Sequence, residues 1–127
     1  MEVSNEDMEV AELCQANGKF LYSAFLCQQA VEKALKAIIN SLGSVPDPIH
    51  NLTVLASTAD VWEYMTPEQQ EFLRELTVYA VQARYPERKK KLVSLCTEQK
   101  ANRILRFSKE VIAWLKQRLN DELSHGK

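Results

Sequence analysis

Cys27-Gln28-Gln29-Ala30-Val31-Glu32-Lys33-Ala34-Leu35-Lys36-Ala37 lies in the middle of a segment, Phe20 to Leu42, that holds no glycine or proline. It is rich in Ala, Leu, Gln, Glu and Lys, the residues that lose least entropy in a helix. Phe20, Ala24, Cys27, Val31, Leu35 with Ala34, Ile38 and Leu42 recur at steps of three and four, which puts them on one helical face. Gln29, Glu32, Lys33 and Lys36 leave a polar strip beside that face. At about 1.5 Å per residue the helix would be roughly 34 Å long, enough to span a small domain. The spacing predicts a central strut.

Upstream, Ser4-Asn5-Glu6-Asp7 reads as a helix start, with Ser4 as cap and acids in the first turn, where the helix dipole favours negative charge. Met8, Ala11 and Leu13-Cys14 give that helix a short apolar face, and Gly18 suits the left-handed residue that ends it. So short a link predicts an antiparallel hairpin with the strut. Downstream, Gly43 to Pro48 is a loop, because two prolines forbid continued helix. A short third helix follows around Leu52, Leu55 and Ala56, with Asn51 or His50 near its cap. Thr66-Pro67-Glu68-Gln69 is a capping box with proline at the first helical position. Phe72-Leu73, Leu76, Tyr79-Ala80 and Ala83 form the core face of this fourth helix, which Pro86 stops at about Arg84 or Tyr85. Glu87 to Cys96 reads as a long basic connection packed through its apolar end. Thr97 caps a last helix with the face Ala101, Ile104-Leu105, Ser108, Val111-Ile112, Leu115 and Leu119, and a second stripe of Phe107, Val111 and Trp114. A face that wide serves a bundle centre or a partner subunit. The tail from Asp121 to Lys127 is expected to fray.

These elements predict an all-α fold, an up-and-down four-helix bundle with an additional short helix, in a single domain over residues 1–127. A hydrophobic fraction of 46% suffices for one core, and a net charge of -1 confines any nucleic-acid role to a local patch. Cys14, Cys27 and Cys96 are odd in number and widely spaced, as expected of reduced thiols in a cytoplasmic protein. No apolar run approaches the roughly 20 residues that cross a bilayer, and the acidic N-terminus is no signal peptide. His50 and His125 have no second His or Cys at ligand spacing, so no metal is expected; nor is a cofactor, since no glycine loop cradles phosphate.

Two features could carry function. The polar strip Gln29, Glu32, Lys33, Lys36 is either a solvated face with a Glu32–Lys36 pair at i,i+4 or one wall of a site. The run Arg84-Tyr85-Pro86-Glu87-Arg88-Lys89-Lys90-Lys91 gathers five positive charges against one negative just past a helix end. The helix dipole accounts for one of those cations, not for the other four. An arginine fork beside a tyrosine ring can hold a phosphate while the ring stacks on a base, which points to a nucleotide or RNA. A solvated charged loop is the alternative.

From Met8 to about Leu119 the chain resembles the HEPN-domain proteins, small prokaryotic all-α domains often found beside minimal nucleotidyltransferases. The resemblance rests on Gly18-Lys19-Phe20-Leu21-Tyr22-Ser23-Ala24 leading into Gln28 to Ala37, on His50-Asn51-Leu52, and on Ala83-Arg84-Tyr85-Pro86. It implies a homodimer with the signature arginines near the dimer cleft, and a link to nucleotides or RNA. It also implies a separately encoded nucleotidyltransferase-fold partner, in a toxin–antitoxin-like or regulatory pair. Several branches of the family are metal-independent ribonucleases in which a histidine follows the signature arginine. Here Arg84 is followed through Lys91 by no histidine, so the usual acid/base is missing and no catalytic residue is assigned. The expectation is a non-catalytic binding domain that holds a nucleotide or an RNA backbone in a cleft between the second and fourth helices, at or near a dimer interface. Arg84 would hold phosphate and Tyr85 would stack or fix the loop. Gln29, Lys33 and Lys36 would line the opposite wall, Arg88 would add attraction, and Glu32 and His50 would stand behind them. A ribonuclease with a rearranged acid/base, or a dimerisation module built on the last helix, are the competing readings.

Overall fold

Among the described residues six α-helices follow one another: α1 (Glu2–Ala16), α2 (Phe20–Ser41), α3 (Leu52–Thr58), α4 (Pro67–Gln82), α5 (Pro86–Leu95) and α6 (Glu98–His125), with one 3-10 turn at Trp62–Tyr64. The computed structural model describes residues 2–82 and 85–125, and no strand occurs among them. The architecture is the expected all-α, up-and-down helical bundle, and α2 is its axis. It touches all five other helices, most extensively α1 and then α6. Ala24, Cys27, Val31, Ala34, Leu35 and Ile38 of the anticipated face are all buried, and Ala30 and Ile39 are buried besides. A helix apolar over so much of its circumference must be packed from several sides. At its two ends the stripe weakens: Phe20 is half-buried and Leu42 exposed.

Local chemistry fixes the element boundaries. Gly18 takes φ 75° at the end of α1, the Lys19 amide donates to Cys14 O at 2.8 Å, and the Gly18 amide donates to Gln15 O at 3.2 Å. That double bond closes the last turn and sends the chain straight back as α2. Asn51 Oδ1 accepts from the Thr53 and Val54 amides and so caps α3. Ahead of α4, Thr66 Oγ1 accepts from the Gln69 amide at 3.1 Å while Gln69 Oε1 accepts from the Thr66 amide at 2.9 Å, a closed capping box. The Lys100 amide donates to Thr97 Oγ1 at 3.2 Å at the start of α6.

Several expectations need correction. The basic connection is a helix: Pro86 supplies the first position of α5, where a missing amide hydrogen costs nothing. Glu87 then sits in the first turn, and Arg88 to Leu92 are good helix formers. Helix α1 already begins at Glu2, ahead of Ser4, and α6 runs from Glu98 to His125. The broad apolar face of α6 is used inside the chain. Ile104, Val111, Ile112 and Leu115 are buried, while Leu105, Phe107, Trp114 and Leu119 pack partly buried against the same core. Phe107 meets Phe72 of α4 with ring centroids 5.1 Å apart.

Candidate functional site

Glu32 is the centre of the polar structure in this fold. It lies in the middle of α2, only 8% exposed, where a lone carboxylate would be costly. Three donors surround it. His50 Nδ1 is 2.9 Å from Oε1, Gln28 Nε2 donates to the same oxygen at 3.1 Å, and Lys36 Nζ donates to Oε2 at 3.1 Å. Burial would raise the Glu32 pKa, but the hydrogen bonds from His50, Gln28 and Lys36, with the Lys36 charge, outweigh it and hold the carboxyl below the usual glutamate value. Gln28 is fully buried, and its Nε2 also donates to the His50 carbonyl at 3.2 Å. The loop before α3 is thereby fastened to α2. On its other side the Leu52 amide donates to Thr77 Oγ1 of α4 at 3.1 Å. His50 is therefore not the helix cap, a role Asn51 fills, but a link between α2 and the α3 start.

The anticipated polar strip divides in two. Glu32 and Lys36 face the loop before α3. Lys33, one residue and about 100° further round the helix, pairs instead with Asp7 of α1 at 2.8 Å. Gln29 is half-buried on α2 between these directions. Arg84 lies outside the described residues, as does Ala83. Among the expected residues, then, Glu32, Lys36 and His50 come together, Lys33 belongs to a separate pair, and Tyr85 with Arg88 forms a third group.

That third group heads α5. Tyr85 is its N-cap residue with extended backbone, 55% exposed, and the Arg88 guanidinium lies 5.2 Å from its ring centroid. One step on, Lys89 reaches back across to α2, with Nζ 5.4 Å from the Tyr22 ring centroid. Arg88, Lys90 and Lys91 are exposed and Lys89 partly so. Sequence reasoning missed Tyr22, Gln28 and Asp7. Gln28 had a signal, its i,i+4 spacing from Glu32; the contacts of Tyr22 and Asp7 depend on which helix lies alongside. No group of three or more His, Cys, Asp or Glu side chains among the described residues could hold a metal ion. No helix among them is long and apolar enough to cross a membrane.

The chain belongs to the HEPN domain family, whose model matches residues 1–119. Its fold is that of TT1696 from Thermus thermophilus, with a TM-score of 0.77 and 22% identity over 91% of this chain and 92% of that one. It is similarly that of ST0689, an archaeal HEPN homologue, with a TM-score of 0.71 and 20% identity over 93% of each chain. No curated protein sequence matches the chain significantly.

Proposed function

We propose that this HEPN protein binds a nucleotide or RNA through the corner between α4 and α5, without catalysing a reaction. The observation that carries the reading is the Tyr85–Arg88 cation–π pair, exposed at the head of a helix with three further lysines in succession. Arginine offers a planar fork to a phosphate, and an exposed ring offers a face to a base. Arg84 is assigned to phosphate by the family signature that it occupies; Gln29 and Lys36 enter the reading as polar side chains of α2, while Lys33 is engaged on the α1 side by Asp7. The absence of histidine between Arg84 and Lys91 supports binding over cleavage. A nucleotidyltransferase-fold protein and a second copy of this chain are the partners that the reading includes, in a toxin–antitoxin-like or regulatory pair. Arg84→Ala and Arg88→Ala should each weaken binding across a panel of nucleotides and RNAs at low salt. Unchanged affinity in both variants, or no binding by the wild type, would overturn the reading.

One observation favours a second reading, metal-independent ribonuclease. A carboxylate hydrogen-bonded to Nδ1 orients a histidine for proton transfer, and Glu32 stands in that relation to His50. Cleavage of a structured RNA in EDTA, lost in both His50→Ala and Arg84→Ala, would establish it. An inert wild type would remove it.

A further inference from the structure

Two tyrosine–cation contacts spring from neighbouring residues of α5. Tyr22 on α2 is 53% exposed, and Lys89 Nζ lies 5.4 Å from its ring centroid and 3.5 Å from its hydroxyl, a long approach for a hydrogen bond. Tyr85 is 55% exposed and carries Arg88 at 5.2 Å. The Lys89 amide donates to the Tyr85 carbonyl at 2.8 Å, so the two residues stand one turn apart on α5. The cations over the two rings, Arg88 and Lys89, are consecutive residues of α5, which brings both rings to one basic segment of chain.

A purely structural role explains only half of this. Lys89 over Tyr22 joins α5 to α2, and an exposed cation–π contact contributes about 0.5–1 kcal/mol to such a join. Arg88 and Tyr85 are three residues apart in the same segment, so their contact fastens no second element. Both rings also leave about half of their area in water, beside four basic residues, Arg88 to Lys91. Apolar ring faces interleaved with cations are the surface that an unstacked polynucleotide uses: each base has a ring face, and each linking phosphate a charge. A duplex offers the phosphates but keeps its base faces stacked. A free mononucleotide would engage one ring only.

We infer that Tyr22 and Tyr85 are successive base-stacking platforms for single-stranded nucleic acid, with Lys89 and Arg88 holding the phosphates between them. The inference rests on the proposed nucleotide- or RNA-binding function and adds to it a strand state and a second subsite on α2. Fluorescence anisotropy of the whole chain tests it. The probes are a labelled oligoadenylate of about eight nucleotides and an RNA duplex of the same length, in about 50 mM salt, with oligoglutamate as competitor. Tyr22→Leu and Tyr85→Leu should each weaken oligoadenylate binding roughly 5- to 150-fold, the equivalent of about 1–3 kcal/mol of stacking per base. Tyr22→Phe should retain it, and duplex binding should change little in all three. Leucine variants that bind oligoadenylate like the wild type would overturn the platforms alone. A wild type that binds neither RNA would overturn the proposed function with them. Displacement of oligoadenylate by oligoglutamate at equal charge would make the ridge an acidic-peptide site and overturn the inference.

Discussion

Replacing Glu32 by glutamine keeps the size of the side chain and removes its charge. Three donors converge on the carboxylate, from Gln28, Lys36 and His50, and the glutamine amide would turn one of its own donors toward them. Breaking a buried ion pair costs about 3–5 kcal/mol when the surviving charge stays buried. Here the surviving partners are not deeply buried, since the side chains of Lys36 and His50 are 26% and 36% exposed and regain water. A loss of about 2 kcal/mol is therefore expected, discounted for that screening. For a chain of this length it lowers Tm by about 7 °C, taking roughly 2.1 cal/mol/K of unfolding entropy per residue. The pH dependence gives the sharper signature. The Glu32 carboxyl is held below its ordinary value in the folded chain, so the unfolded chain binds its proton first as pH falls. Its contribution is complete above the unfolded value, about 4.3, and disappears as pH falls through the folded value. Urea unfolding of wild type and Glu32→Gln should show a gap near neutrality that closes on acidification. A gap that stays constant on acidification from neutral pH until the folded carboxyl protonates, or a variant as stable as the wild type, would refute this account of the network.

Other consequences are local. Thr66→Ala opens the capping box of α4 and should cost about 1 kcal/mol in chemical denaturation, with Gln69→Ala adding less than its full single effect because the two bonds are reciprocal. Phe72→Ala, at a fully buried ring stacked on Phe107, should cost about 3–5 kcal/mol, a large part of a typical domain's stability, and calorimetry would show it. Burial pushes the Cys27 thiol up to about 12 and raises that of Cys96, so mass spectrometry after brief alkylation near neutral pH should find Cys14 modified first.

What could be read from the sequence was what neighbouring residues decide among themselves. The caps at Thr66 and Thr97 and the left-handed Gly18 are chemistry within a few residues and stand where expected, and of the two candidates for the α3 cap it is Asn51 that fills the role. The apolar stripe of α2 was legible for the same reason, since period alone defines a face. Helix α5 was not, because proline ends one helix and begins another with equal ease and the following charges look like loop. Nor was the burial of Glu32. A glutamate at i,i+4 from a lysine usually marks a wet surface, and only the return of the chain at His50 covers it. The polar strip divided because its residues point at different neighbours: Lys33 meets Asp7 of α1, while Lys36 turns with Glu32 toward the loop before α3. Which helix lies on which side is a property of the packing, and no local pattern encodes it.

The central claim is that the α4–α5 corner is where RNA meets this protein, and amide chemical-shift mapping during titration with a short single-stranded RNA tests it most directly. The account predicts shifts concentrated in residues 85–91 and on the α2 face around Tyr22, attenuated in Arg88→Ala and weakened by added salt. Shifts centred instead on the far turn around Asp60 to Tyr64, or no shifts at low salt, would contradict it.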